Sequence, residues 1–352
     1  MMRLTLIAHR YVSLVALVFV VLFGVTGSIM AFESPLDRLF ARRLFEVPMS
    51  AAPALPLERV AAIVAAHEHA NAPLGFRLPL NAHESTSAYL DDGREVFVDG
   101  RTGKVLGSRR GSPFLQAVHS LHTQLLLGRP GKTIVASAGV AALFVVLTGP
   151  ILWWRTRRTR LVRRGSALGG TFDLHAVTGF YAYLFLLLAS VTGVLIGYED
   201  AIVPKLYSWN HARPVPRQTH VAPRQGAPVI SAEQALARAR AALPGAVPIL
   251  IGLPDAPDAP YEIRMRTPGD RTPGGRSWVL LDPHDGSVAV SQDIRRAAFP
   301  ARYSYWVRQL HTGDVAGNPT RALMSLAALV MVLQAATGAL LWWKRRAARR
   351  RA

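Results

Sequence analysis

Four histidines stand where two spacings repeat without a gap. His9 precedes Val25-Thr26-Gly27 by the same distance that His175 precedes Val191-Thr192-Gly193. Leu121-His122-Thr123 precedes Thr148-Gly149, and then Trp153-Trp154, just as Leu310-His311-Thr312 precedes Thr337-Gly338 and Trp342-Trp343. A neutral imidazole offers one free nitrogen, and two imidazoles at one depth on opposite sides of a cavity are what six-coordinate haem iron requires. His9 and His175 make one candidate pair; His122 and His311 make a second. The sequence contains no cysteine, which excludes thiolate metal sites, iron–sulfur clusters, covalently attached haem and disulfides.

The neighbours of these histidines leave room beside them. One helical face from His9 reads Ser13, Ala16, Val20, Gly24, Gly27, Ala31, and the equivalent face from His175 reads Gly179, Ala182, Leu186, Ser190, Gly193, Gly197. So bare a face accepts either a flat, bulky group or a closely packed helix. His119, one turn before His122, aligns with Arg308 and is an alternative ligand. Arg10, Lys132 and Arg321 flank the four positions, where a cation pairs with a haem propionate or anchors a helix end. Gln334, which aligns with Val145, fits a helix-to-helix hydrogen bond. His67-Glu68-His69 is set aside as a metal site because its two imidazoles point apart on a helix.

Four apolar runs carry these residues: 11–32, 134–154, 177–198 and 322–343. Each is long enough to cross the roughly 30 Å hydrocarbon layer, which takes about 20 helical residues. The first reads as an uncleaved anchor, since its apolar stretch is longer than that of a signal peptide. Pro130 and Pro319 suit the first turn of the second and fourth spans, with Asn318 as a cap. The formal charge of +19 raises the possibility of a nucleic-acid partner. Its location argues otherwise. Six basic residues lie between Arg155 and Arg164, six between Lys344 and Arg351, and Arg3 and Arg10 precede the first span. The positive-inside rule places the N-terminus, the 155–173 loop and the C-terminus in the cytoplasm, and the tryptophan pairs at the inner interface.

The outer segments, 33–112 and 199–301, each read as a small α+β module. In the first, a helix is expected over 57–69 and strands near 88–90, 95–98 and 104–106, separated by Asp92-Gly93 and Asp99-Gly100 turns. In the second, Ser231 opens a helix with Gln234 in capping-box position, and strands are expected near 261–265 and 278–281. The expected fold is an all-α four-helix transmembrane bundle with two outer α+β modules and an internal two-fold duplication. Its segments are 1–32 (first span), 33–112 (module), 113–154 (interfacial helix and second span), 155–173 (basic loop), 174–198 (third span), 199–301 (module), 302–343 (interfacial segment and fourth span) and 344–352 (basic tail).

Taken together, His-Arg before a helix ending Val-Thr-Gly-Ser, Leu-His-Thr before a helix ending Leu-Trp-Trp-Arg, Asp173-Leu-His-Ala, and the final Leu-His-Thr with Leu-Trp-Trp-Lys resemble the PepSY-associated transmembrane family. That resemblance implies an iron-regulated protein or ferric-siderophore reductase of a bacterial inner membrane, with PepSY modules in the periplasm. It also implies two b-type haems held by His9, His175, His122 and His311. The expected substrate is a ferric siderophore or other ferric chelate. Electrons would come from a cytoplasmic reductase or membrane quinol, because the 155–173 loop lacks a dinucleotide fingerprint; Gly165 to Gly170 has the wrong spacing. Two rival readings are a cofactor-free binding or regulatory protein and, opposed by the lack of Asp, Glu or Lys well inside the spans, a transporter.

Overall fold

The computed structural model describes residues 2–69, 72–161, 166–217, 219–224 and 226–351. Arg163, Arg164 and Gly165 of the basic loop lie outside that set. In chain order the helices are α1 (Met2–Met30), α2 (Glu33–Phe40), α3 (Arg42–Phe45), α4 (Leu57–Glu68), α5 (Pro113–Gln124), α6 (Arg129–Trp153), α7 (Ala167–Gly197), α8 (Glu199–Trp209), α9 (Ala232–Ala242), α10 (Phe299–Thr312) and α11 (Asn318–Arg351). The strands are β1 (Gly75–Arg77), β2 (Thr86–Tyr89), β3 (Glu95–Val98), β4 (Val105–Arg109), β5 (Val247–Gly252), β6 (Tyr261–Arg266), β7 (Ser277–Leu281) and β8 (Val288–Gln292). The chain forms two compact units.

The first unit comprises Met1–Glu33, Phe114–Lys205 and Ser304–Ala352. Its four long apolar helices, α1, α6, α7 and α11, make this a four-pass membrane protein. Val15 is 80% exposed and Leu184 72%, an outward apolar surface that lipid solvates and water would not. α1 packs against α6 and α11, and α7 packs against the same two, so α1 and α7 lie on one diagonal of the bundle. A Cβ at Gly24 would lie 2.6 Å from the Ala328 carbonyl oxygen, and one at Gly197 would lie 2.9 Å from Ala136. Part of each small-residue face is therefore used for close helix contact rather than left as space. Gln334 makes the expected interhelical bonds, donating to the His175 carbonyl at 3.1 Å and to Thr178 Oγ1 at 2.6 Å. Asn318 departs from expectation: it is the first helical residue of α11, and its side chain accepts from the Arg321 guanidinium at 3.3 Å.

The second unit comprises Ser34–Pro113 and Leu206–Tyr303. Its strands form one antiparallel sheet in the order β4-β3-β2-β1-β5-β6-β7-β8. The two expected modules are thus joined along β1 and β5, where Phe76 faces Ile251. α4 and α9 supply Val60, Val64, Ala235 and Ala239 to the core beneath them, which includes Phe76, Ala88, Ile251 and Ile263. Fully burying each of the larger apolar side chains contributes about 1.5–3 kcal/mol. Each helix also caps the other. The Leu57 N–H donates to the Glu233 carboxylate at 2.5 Å, and the Ala232 N–H donates to Glu58 at 2.8 Å. Those bonds satisfy first-turn donors, while Ser231 and Gln234 complete the expected capping box on α9. Burial first, and then the hydrogen bond with Glu58, push the Glu233 carboxyl up from its ordinary value.

Candidate functional site

Every span carries a Thr-Gly dipeptide whose threonine holds one of the four histidines by Nδ1; α7 carries a second, Thr178-Gly179, whose threonine accepts from Gln334 instead. His122 lies 2.8 Å from Thr26 Oγ1 and His311 lies 2.9 Å from Thr192 Oγ1. His9 lies 2.7 Å from Thr148 Oγ1 and His175 lies 2.9 Å from Thr337 Oγ1. Every one of these hydroxyls is within reach of a carbonyl of its own helix: Thr26 donates to Leu22, Thr192 to Leu188, Thr148 to Phe144 and Thr337 to Leu333. A hydroxyl has one proton; once that proton goes to the carbonyl, its oxygen must accept from the imidazole.

The ring nitrogen therefore carries the hydrogen at Nδ1. In this tautomer the Nε2 lone pair is free, the form a metal ligand needs, with its orientation set by the group on the other nitrogen.

The glycine of each dipeptide clears space for a ring. A Cβ at Gly27 would lie 3.2 Å from His122 Cε1, one at Gly193 the same distance from His311 Cε1, and one at Gly338 3.5 Å from His175 Cε1. Gly149 is looser, with nothing within 4 Å of such a carbon. Phe23 meets His122 edge-on at 5.8 Å.

The rings of His122 and His311 face one another with centroids 6.3 Å apart and planes inclined by 52°. Two metal–nitrogen bonds of about 2 Å each, plus the radii of two five-membered rings, come to about 6 Å, so this spacing fits one iron between them. His9 and His175 stand on the diagonal helices α1 and α7. His122 and His311 fit bis-histidine haem.

His119 is placed differently. It is exposed, with Nδ1 3.4 Å from Glu33, and that hydrogen bond first of all raises its pKa. Arg308, its counterpart, pairs with Glu199 in the same way at 2.5 Å. His119 thus occupies an ion-pair position, and among the expected outer ligands the geometry of His122 and His311 stands alone in having a Thr-Gly partner. Lys132 pairs with Asp200 at 2.5 Å and Arg321 with Asp314 at 2.6 Å, so both cations expected to meet propionates already face protein carboxylates. Arg10 instead lies near the like-charged Arg345, which also lies near His175. Sequence reasoning passed over Arg345 within its basic tail, and treated the four threonines only as register marks. The signal was present in the recurrence of Thr-Gly in every span.

Four threonine-held histidines inside a four-span apolar bundle belong to a four-pass membrane protein. The family comparison fits that class: residues 6–345 match the family described as PepSY-associated TM region, and the chain belongs to it. It is also similar to an uncharacterized protein of Pseudomonas aeruginosa, 38% identical over 88 residues, covering 24% of this chain and 22% of the relative.

Proposed function

We propose that this chain is a haem b electron-transfer protein of the bacterial inner membrane that reduces a ferric siderophore or other ferric chelate in the periplasm. The observation that carries the reading is the fourfold Thr–His bond, which leaves Nε2 free on each ring, together with the facing rings of His122 and His311. His122 and His311 would hold one haem, and His9 and His175 a second, in halves of a duplicated chain. Bound there, the haems would supply reversible one-electron exchange.

The protein's part is positional. The threonines fix ring orientation, the glycines admit the rings, and the apolar spans exclude water. Arg10 and Arg345 are the cations placed to meet propionates at the inner pair. Lys132 and Arg321 serve helix anchoring through Asp200 and Asp314. The basic flanks of the spans support cytoplasmic termini and an outer, periplasmic sheet unit. A cytoplasmic reductase or membrane quinol would donate one electron per Fe(III). Fe(II) is a poorer partner for hard oxygen ligands, so reduction loosens the chelate and releases the metal.

The test is haem content and reducibility of protein purified in detergent from haem-replete cells, followed by anaerobic mixing with ferric citrate. Dithionite-reduced protein should reoxidise as Fe(II) appears in a ferrozine assay. Protein that retains haem but does not reoxidise would leave electron transfer without its substrate, and a colourless preparation would remove the haem assignment.

A further inference from the structure

The face of the eight-stranded sheet turned away from α4 and α9 is covered at its flanks and partly exposed at its centre, where Arg77 is exposed and Leu250, Gly252 and Arg264 are half-buried. On one flank Phe45 lies edge-on over Phe97 at 4.9 Å. On the other, Trp278 and Leu280 are buried. Between them, register places Arg77, Leu250 and Arg264 in one row across β1, β5 and β6, and Tyr89, Gly75, Gly252 and Glu262 in the next. At the seam Leu250 thus stands between the two arginines, and the adjoining row, Gly75 and Gly252, forms a floor without side chains.

Glycine inside a strand weakens it, and often marks a close approach by backbone or ligand. Gly75 has the first explanation, since a Cβ there would lie 2.5 Å from the Ile251 carbonyl oxygen. Gly252 does not: a Cβ would find only ordinary contacts, 3.6 Å from Glu262 Cβ and 3.7 Å from its carbonyl oxygen. The packing tolerates a side chain at Gly252, yet the floor is bare.

The rim carries more positive than negative charge. Glu95 accepts from Ser87 at 2.6 Å and lies 3.4 Å from Arg77, which also donates to the Tyr89 hydroxyl at 2.9 Å. Glu262 lies 3.6 Å from Arg217. Arg264 donates to a neutral oxygen, the Gly275 carbonyl, at 3.5 Å, and among the described residues no ion pair within 4.0 Å is formed by its guanidinium. Burial, and then Arg217, lower its pKa, which marks a place where an anion would be welcome. Arg77 and Arg264 stand two strands apart, about 10 Å, enough for one small molecule to lie across the glycine floor with a charged group toward each arginine.

We propose that this centre is the docking site for an anionic, carboxylate-bearing ferric chelate, held between Arg77 and Arg264 over Gly75 and Gly252. The chelate as occupant rests on the reductase reading; the site rests on the sheet. Guanidiniums recognise carboxylates in paired, planar geometry, which a neutral hydroxamate chelate does not offer.

Gallium(III) citrate, which is not reduced, separates binding from electron transfer. Its affinity for the full-length, detergent-purified protein is measured by calorimetry. Saturable binding is expected, weakened roughly 100-fold by Arg77→Ala with Arg264→Ala, the loss of two charge-assisted contacts. Gly252→Val fills the floor in a position with room for a β-branched residue, and should weaken binding at least about 10-fold with unchanged melting and unchanged visible spectrum. A wild-type chain that does not bind gallium citrate, or a folded Gly252→Val variant that binds it normally, overturns the site. A colourless protein that still binds it would overturn the haem reading alone.

Discussion

The outer and inner histidine pairs use the same contacts with the donors exchanged. In the outer pair, His122 and His311 come from the short helices α5 and α10, and the threonines from α1 and α7. In the inner pair, α1 and α7 supply His9 and His175, and the threonines come from α6 and α11. Each span therefore holds one histidine through a Thr-Gly of its own, and α1 and α7 serve both levels. The pairs also differ in tightness. Gly27 and Gly193 lie equally close to their rings, whereas Gly338 is looser and Gly149 touches nothing. The outer pair is the more closely held, and the inner pair has more freedom in ring position.

Removing ligands should separate the two levels most sharply. His122→Ala with His311→Ala should lose about half of the bound haem and leave the inner half reducible, and His9→Ala with His175→Ala the reverse, read by pyridine haemochrome per chain. If either double variant keeps full haem, that pair is not a ligand pair.

A smaller change is expected from the hydroxyls. Thr26→Val or Thr192→Val should weaken haem retention by about 10- to 100-fold and shift the potential of the outer haem only, with Thr→Ser restoring both. An unchanged potential in a variant that keeps its haem would reduce the threonines to helix packing.

Smaller again is the steric contrast. Gly27→Ala must move His122 by a few tenths of an ångström, whereas Gly149→Ala meets nothing. The first should alter the low-spin electron paramagnetic resonance signal and the second should leave it alone. Equal effects would mean that the levels do not differ in tightness.

The smallest effect lies in the sheet unit. A carboxyl whose folded pKa is raised favours the folded state at low pH, and that contribution is lost as pH rises through the folded value. Glu233 should therefore make the protein lose melting temperature as pH climbs from about 4.5. Glu233→Gln keeps an acceptor for the Leu57 N–H and should flatten that slope. A slope unaffected by the substitution would assign it to other groups.

Much of the membrane unit was legible because its signals are local or periodic. Apolar runs mark spans, and the His-to-Thr-Gly spacings mark equivalent positions. The partners of those positions were not legible: His9 and Thr148 lie on different helices, 139 residues apart in sequence, and no periodicity predicts which helices adjoin. Lys132 and Arg321 looked free because Asp200 and Asp314 are brought to them by folding. The sheet seam was missed for another reason. β1 is the three residues Gly75–Arg77, with one hydrophobic side chain, too short to show alternation. The exchanged caps of Glu58 and Glu233 depend on that seam and were hidden with it. His119 could be sorted from His122 only when Glu33 and Glu199 appeared beside His119 and Arg308.

Haem ligation by the four histidines is tested most directly by the visible and low-temperature magnetic spectra of the purified protein from haem-replete cells, before and after dithionite. About two b-type haems per chain are expected, both low-spin with two imidazole ligands, one lost with each histidine pair. A colourless protein, or haem that survives replacement of all four histidines, would contradict it.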